Sequence, residues 1–227
     1  MSETCFRKFP QTSHLKWLGS GSPRDDKVLS PLEVERLLKK VLVIEEKVDG
    51  TNLGFSADPT GQVRIQSRGS WLTPPFPKHL NRLRQWIDLR RDSLTAALST
   101  RFVLFGEWLG AVHSIQYDQL PDWFLAFDVY DVKSKGFLSV AQRNAMCEKL
   151  GVEVVRSIAV GVFSFDELVE MLNLPSRYYD GPIEGIYLRA ENEKGLTERV
   201  KLVRPEFVQA IGDHWKTRAI RWNRLGD

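Results

Sequence analysis

Short apolar segments alternate with capped helical segments along this chain, without a regular strand–helix–strand repeat. Strands are predicted at Val41–Glu46, Leu53–Ser56, Val63–Ser67, Phe102–Trp108 and Phe124–Val132, with a hairpin of Glu184–Arg189 and Glu198–Val203 across a polar loop at 190–197. Parallel neighbours would need a long crossover between successive strands, and several of these strands follow one another after short turns. The pattern predicts an α+β fold with antiparallel sheets flanked by helices. Because no linker-like stretch divides the chain, we expect a single domain over residues 1–227.

Serine caps set several predicted helix boundaries. Ser30-Pro31-Leu32-Glu33 is a capping box with proline at the first helical position, and it predicts a helix to about Lys40. The other predicted helices are Ser139–Leu150, one opening at Ser164, Lys78–Leu98 with four apolar residues on one face, and Pro205–Leu225. Residues 1–30 are rich in Gly, Ser and Pro and are predicted to be irregular.

Composition narrows the class of protein. The two cysteines, Cys5 and Cys147, form no CxxC or Cys/His cluster, which argues against a disulfide framework or a structural zinc and suits a reducing cytosol. The longest aliphatic run, Val41–Ile44, is far too short for a membrane span, and the first residues lack the apolar core of a secretory signal. We therefore expect a cytoplasmic protein without a membrane partner. Its net charge of +3 permits an anionic partner.

The segment Glu45-Glu46-Lys47-Val48-Asp49-Gly50-Thr51-Asn52 places a lysine at the end of an apolar strand, before an acidic residue and a glycine turn. Taken alone, such a lysine is either a strand-end residue extending to solvent or a positioned nucleophile. Four further segments follow in order: Phe105-Gly106-Glu107, Phe127-Asp128, Glu184-Gly185-Ile186, and Arg199-Val200-Lys201.

Together these five segments resemble motifs I, III, IIIa, IV and V of the covalent nucleotidyltransferases, the polynucleotide ligases and messenger-RNA capping enzymes. The resemblance covers about residues 41–207. Asn52 in motif I, Ser67-Arg68-Gly69 after the third predicted strand, and the run from Lys201 to Phe207 are similar to the RNA ligase 2-like branch of the ATP-dependent RNA ligases. The resemblance implies a nucleotidyltransferase (ligase adenylation) domain. About twenty residues follow Phe207, so we expect no OB-fold appendage.

The resemblance also implies roles for ten residues. Lys47 would be the nucleophile that takes AMP from ATP, with Asp49 and Lys201 as its catalytic partners. The nucleotide would be bound by Glu46, Lys47, Asn52, Arg68, Glu107, Phe127, Glu184, Arg199 and Lys201, and Mg²⁺ (or Mn²⁺) by Glu184. The reacting lysine must be uncharged, whereas a free lysine titrates near ~10.4. We expect the metal and Lys201 to lower the pKa of Lys47.

Several readings stay open at this point. Phe127 is also a plausible core residue, and Arg68 and Arg199 plausible solvated strand residues. The favoured function is an ATP-dependent RNA ligase, monomeric, that joins 5′-phosphate and 3′-hydroxyl RNA ends in RNA repair. Its alternatives are a DNA ligase, a capping-type guanylyltransferase, and a non-catalytic nucleotide- or RNA-binding module.

Two basic segments are candidates for contact with RNA. Lys78–Arg91 and Asp213–Asp227 carry several Lys and Arg residues, the second interleaved with tryptophans. In the segment Lys78–Arg91, Arg82 and Arg84 are expected to contact the RNA strand. For both segments a solvated helix face is the alternative. His79, His113 and His214 are scattered along the sequence and are predicted to be satisfied structural residues.

Overall fold

The computed structural model describes residues 6–20, 27–210 and 219–226. Its strands are β1 (Ser13–His14), β2 (Leu42–Lys47), β3 (Thr51–Ala57), β4 (Val63–Ser67), β5 (Trp71–Leu72), β6 (Phe102–Trp108), β7 (Phe124–Asp131), β8 (Gly136–Phe137), β9 (Ser157–Gly161), β10 (Gly185–Asn192) and β11 (Gly195–Val203). Its helices are α1 (Pro31–Leu38), α2 (Leu83–Asp88), α3 (Arg91–Leu98), α4 (Val140–Leu150), α5 (Phe165–Met171) and α6 (Pro205–Ala210), with a 3₁₀ turn at Lys78–Leu80.

The strands form two sheets. Sheet A has the order β1-β11-β10-β2-β9, and sheet B the order β5-β4-β3-β6-β7-β8. All neighbours are antiparallel except β1 and β11. The expected α+β fold with antiparallel sheets is therefore confirmed, and the described residues form no OB-fold beside these sheets. No helix in the described ranges is long and apolar enough to cross a bilayer.

Each sheet buries one face under helices, and the two remaining faces meet. Leu37 of α1 and Leu168 of α5 pack on the outer face of sheet A, against Ile44 and Ile186. Helices α2, α3 and α4 cover the outer face of sheet B in the same way. A third apolar cluster, which includes Phe105 and Phe127 on the inner face of sheet B, lies between the sheets. The inner faces therefore form the walls of a cleft.

The chain crosses from sheet A to sheet B at the turn between β2 and β3. A side chain at Gly50 would place its Cβ 2.5 Å from the Trp108 carbonyl oxygen and 2.7 Å from Leu109 Cδ2. Glycine is therefore required for the close approach of this turn to the end of β6. Lys47 sits immediately before the turn and Asn52 just after it, so one short segment supplies side chains to both walls.

The helix caps follow the sequence closely. Ser30, Ser139 and Ser164 each complete a capping box, and Gly151 ends α4 in the left-handed conformation, with φ of 64°. In each box the serine oxygen accepts a hydrogen bond from a first-turn N–H that would otherwise be unpaired. These helices begin where the serines predict.

Two predicted helices are wrong in extent. The segment Lys78–Leu98 is not one helix: it breaks at Arg82, whose φ is 64°, and again at Arg90. Its apolar face is nevertheless buried, because both pieces pack on sheet B. The final predicted helix is described from Pro205 to Ala210, and residues 211–218 lie outside the described residues. Residues 219–226 are not helical but pair with the loop after β6 through the bridges Ala111–Trp222 and Leu120–Leu225.

The strands differ from expectation mainly in number and length. The β10–β11 hairpin continues to Asn192 and Gly195, so the predicted polar loop at 190–197 is mostly strand. Strands β1, β5, β8 and β9 were missed, three of them only two residues long. The N-terminal residues are thus not wholly irregular, since β1 pairs with β11.

Candidate active site

Strand alternation directs one row of side chains from sheet A into the cleft. Lys47 on β2 lies opposite Gly185 on β10, and Tyr187 on β10 lies opposite Lys201 on β11. Because residues two apart in a strand share a face, Lys47, Tyr187 and Lys201 project to the same side. Glu184 directly precedes β10, and its Oε1 accepts a hydrogen bond from Lys47 Nζ at 2.6 Å.

The Lys47–Glu184 pair is the electrostatic centre of the site. Burial opposes the charge on Lys47, but the combined effects of Glu184, Tyr187 and Asp49 outweigh it and raise the pKa of Lys47 above its ordinary value. Burial likewise raises the pKa of Glu184 to about 7, although the charges of Lys47 and Lys201 act to lower it. The nearest partner of the Lys47 amine is thus a carboxylate, which favours the charged form, and the lowering of this pKa by a metal and Lys201 stays a prediction.

Sheet B supplies the opposite wall. Asn52 on β3 is the cross-strand partner of Glu107 on β6. Burial raises the pKa of Glu107 to about 8, against the effects of Lys47 and of a hydrogen bond with Asn52. Among the described residues, Glu107 Oε2 and Asn52 Oδ1 are both buried without a hydrogen-bond partner. Buried acceptors without a donor are costly, so these two oxygens mark a place where a hydroxyl or amine of a ligand fits.

Asp49 is held by the loop that follows β6. Its Oδ2 accepts hydrogen bonds from the Ser114 backbone N–H at 3.0 Å and from the Ser114 hydroxyl. Its own N–H donates to Tyr117 Oη at 2.9 Å. His113 lies with Nδ1 3.9 Å from Asp49 Oδ1 and Nε2 3.3 Å from Thr51 Oγ1. His113 is therefore beside the site, which the sequence analysis missed; its position in a loop directly after motif III was the available signal.

Asn223, near the C-terminal end of the chain, also holds the loop that follows β6 in place. The buried Asn223 amide donates to the Leu109 carbonyl at 2.7 Å and accepts from the Tyr117 N–H at 2.8 Å. This part of the basic segment 213–227 thus has a structural role, while Asp213, His214, Trp215, Lys216 and Arg218 lie outside the described residues.

Two aromatic rings face each other across the cleft. The centroids of Phe127 and Tyr187 are 6.4 Å apart, with 38° between the ring planes. Phe127 also packs edge-on against Phe9 at 5.1 Å, so it is both a core residue and part of the wall. Tyr187 was not predicted as a site residue, although it lies three residues after Glu184. Arg68 is exposed after β4, and its charge acts on the Tyr187 hydroxyl, whose pKa burial raises to about 12.

Two residues that the resemblance assigned to the nucleotide have other partners here. Glu46 alternates to the outer face of β2, where its carboxylate accepts hydrogen bonds from the Ser176 hydroxyl at 2.5 Å and the Arg177 N–H at 3.3 Å. Arg199 is paired with Asp128, and its guanidinium lies 4.3 Å from the centroid of the Phe9 ring. Neither side chain is brought together with Lys47, which leaves Lys201 as the motif V cation near Glu184.

A buried ionic network joins the two walls behind the site. Arg143 of α4 donates to Glu45 of β2 at 2.6 and 3.1 Å, and Arg189 of β10 donates to Asp128 of β7 at 2.7 Å. Both guanidinium groups also donate to the Phe127 carbonyl, at 2.7 Å from Arg143 and 3.2 Å from Arg189. The strand that carries Lys47 and the strand that carries Phe127 are therefore tied together by charged hydrogen bonds.

The site suits a hard divalent cation that brings most of its own ligands. Within the described residues, no group of three or more His, Cys, Asp or Glu side chains is placed to hold a metal. Glu184 Oε2 is buried and has no hydrogen-bond partner in the part of the chain that the structure describes, so it is available as one carboxylate ligand. Mg²⁺ usually takes one or two carboxylates together with waters and substrate phosphates. The residues present therefore fit Mg²⁺ or Mn²⁺ bound with a nucleotide.

The geometry has counterparts among known proteins. A family model described as RNA ligase matches residues 40–203, whereas no curated protein matches the sequence. A Naegleria gruberi RNA ligase variant with ATP and Mn is similar in fold, with a TM-score of 0.66 and 17% identity over 92% of this chain and 59% of that one. A second variant with ATP and Mn has a TM-score of 0.64 and 18% identity over 88% and 63%.

The Naegleria gruberi RNA ligase with PPi is also similar, with a TM-score of 0.62 and 17% identity over 93% of this chain and 64% of that one. At these identities the likeness concerns the fold. In all three comparisons the chain spans less than two thirds of the other protein.

Proposed function

Because the chain belongs to the RNA ligase family, we propose that it is an ATP-dependent RNA ligase that forms a lysyl-adenylate on Lys47. The observation that carries the proposal is the Lys47 amine, on a side chain that is 14% exposed, 2.6 Å from Glu184 and facing a wall whose acceptors Glu107 Oε2 and Asn52 Oδ1 have no donor among the described residues. The Naegleria relatives bound to ATP and Mn, or to PPi, agree with such a reaction.

In the first step the Lys47 amine attacks the α-phosphate of ATP, forms a phosphorus–nitrogen bond and releases pyrophosphate. The amine must first lose a proton, because its pairing with Glu184 favours the charged form. Glu184 Oε1 already accepts a hydrogen bond from the amine and so offers a route for that proton. Lys201 provides a fixed positive charge beside the departing pyrophosphate.

Glu184 is also the residue that would hold Mg²⁺ or Mn²⁺, through its unpaired Oε2. When bound, the cation supplies positive charge that polarises the phosphate oxygens. Asp49, fixed by Ser114 and Tyr117, orients the turn that carries Lys47.

The cleft offers a place for the adenosine. A planar base between two rings needs about 7 Å between their centroids, twice a contact distance of about 3.5 Å. The Phe127 and Tyr187 rings, with centroids 6.4 Å apart and planes tilted by 38°, would need to separate and turn parallel to admit adenine between them. Glu107 Oε2 and Asn52 Oδ1 would then accept hydrogen bonds from the ribose hydroxyls. Arg68, on the Tyr187 side, would contact the phosphates.

In the following steps AMP passes to an RNA 5′-phosphate, and a 3′-hydroxyl displaces it to seal the strand. We propose that these reactions serve the repair of broken RNA, and that the protein acts as a monomer with one nucleotidyltransferase domain over residues 1–227. The 2′-hydroxyl near the joined end is the group that distinguishes RNA from DNA.

The test is a matched set of 5′-phosphorylated nicked and single-stranded substrates that differ only in the sugar of their 3′-terminal nucleotides. The protein with ATP and Mg²⁺ should seal RNA-ended substrates faster than all-DNA substrates, and the Lys47→Ala variant should seal neither. Equal sealing of both sets would contradict the RNA assignment and favour a DNA ligase. GTP in place of ATP should not support the reaction, whereas a capping-type guanylyltransferase would prefer it.

A further inference from the structure

A groove of about 310 Å³ lies at the outer edge of sheet B, away from the cleft. It runs between the β4–β5 edge, the segment Thr73–Phe76, and helices α2 and α3. Ile65, Leu72 and Ile87 form its apolar floor, and Trp71 and Phe76 line it as well. None of these residues takes part in the nucleotide site described above.

The rim of the groove is positively charged. Arg64, Arg84 and Arg91 line it, and Asp88 is the only carboxylate among its lining residues. The Asp88 carboxylate contacts both Arg84, whose Nε is 3.7 Å away, and Arg91. Because one carboxylate cannot neutralise three guanidinium groups, the rim retains a net positive charge. Arg84 and Arg91 are 75% and 50% exposed and can reach a ligand. Such a rim favours a polyanion.

The groove also offers an aromatic surface next to these charges. Trp71 is partly exposed, with Arg64 at 5.7 Å from its ring centroid and Phe6 edge-on at 5.5 Å. Basic side chains that follow a backbone, together with an aromatic ring on which an unpaired base stacks, are typical of sites for single-stranded nucleic acid. An acidic peptide would use the arginines but would gain little from the indole face.

Strand β4 connects the groove to the nucleotide site. Arg64 lies in the groove, and four residues later the same chain reaches Arg68, whose charge acts on Tyr187. At about 3.3 Å per residue, that separation is roughly 13 Å. A few nucleotides of single-stranded RNA cover this distance. The groove is therefore within reach of RNA whose end is at the cleft.

We propose that this groove binds the single-stranded RNA next to the end being sealed, with phosphates on Arg84, Arg91 and Arg64 and a base against Trp71. The proposal rests on the proposed function. It also separates the two arginines that the sequence assigned to the strand: Arg84 lines the groove, whereas the Arg82 guanidinium lies 4.7 Å from the centroid of the Trp123 ring.

The experiment measures the affinity for a fluorescent 12-nucleotide single-stranded RNA over a range of salt concentrations. The variants are Trp71→Ala and Arg84→Gln, and the matched control is Arg36→Gln, an arginine 64% exposed on α1. Loss of a stacked base should weaken binding roughly 5- to 150-fold in Trp71→Ala. Loss of one phosphate contact should reduce the slope of log K against log salt by about 0.7 in Arg84→Gln. The control should behave as wild type.

The formation of the ATP adduct is measured in parallel, because it separates this inference from the proposed function. Both groove variants should form the adduct as wild type does. Wild-type RNA affinity and salt slope in Arg84→Gln, a surface change with no folding risk, would overturn the groove assignment. Polyglutamate that competes with the RNA at equal affinity would overturn the choice of RNA as occupant. Absence of the adduct in the wild type would instead refute the proposed function.

Discussion

Replacing Glu45 by Gln tests whether the buried ionic network holds the two walls of the cleft together. The Arg143 side chain is fully buried, and both of its Nη atoms donate to the Glu45 carboxylate, at 2.6 and 3.1 Å. Arg189 Nε adds a second contact, 3.6 Å from Glu45 Oε2. Removing one partner of a buried pair leaves an uncompensated charge, at a cost of about 3–5 kcal/mol. We expect the free energy of unfolding of Glu45→Gln to fall by that amount.

The assay is urea denaturation followed by tryptophan fluorescence, with the slope of the transition checked for constancy. The matched control is Glu35→Gln, which breaks an exposed pair with Lys39 and should leave the free energy of unfolding as in wild type. The double variant Glu45→Leu/Arg143→Met removes both charges and should be more stable than Glu45→Gln alone. A Glu45→Gln protein within 1 kcal/mol (roughly one hydrogen bond's worth) of wild type would refute the reasoning.

Three further predictions concern the site. Tyr187→Ala should weaken ATP binding by about 1–3 kcal/mol in calorimetry, because the base loses one stacking face; an unchanged Kd would exclude the two-ring arrangement. Glu184→Gln should raise the Mg²⁺ concentration that half-saturates adenylylation, and an unaltered metal titration would show that the metal has another ligand. Asn223→Ala should lower the melting temperature by several degrees, since it removes buried hydrogen bonds to Leu109 and Tyr117; an unchanged melting temperature would contradict the bracing role.

The structural features that the sequence predicts well are those determined by interactions within a few residues. The serine caps at Ser30, Ser139 and Ser164 act on N–H groups three residues away, so their effect does not depend on the rest of the fold. Strands β2, β3, β4, β6 and β7 were placed within two residues for the same reason, because their apolar runs are long enough to be recognised.

The features that the sequence could not predict depend on tertiary contacts. Strand β1 is only two residues long and exists because β11 is beside it. The helical pattern of Lys78–Leu98 is broken where Arg90 turns to bind Asp122 at 2.8 Å, a partner far along the chain. Propensity and periodicity contain no information on such distant partners.

The same distinction between local and tertiary determinants applies to the candidate site. The motifs identified Lys47, Glu107 and Glu184, and the structure brings them into one cleft. Motif spacing does not reveal which face of a strand a side chain takes or which partner already occupies it. Glu46 therefore has its carboxylate on Ser176, and Arg199 has its guanidinium on Asp128.

The most direct test of the central claim is the intact mass of the protein after incubation with ATP and Mg²⁺. The wild type should gain the mass of one AMP, and peptide mapping should place it on Lys47. Lys47→Ala should gain nothing, while Lys40→Ala, a control at a half-buried lysine of the same region, should be labelled as wild type. An adduct that persists in Lys47→Ala, or a wild type that binds ATP without gaining AMP, would contradict the account.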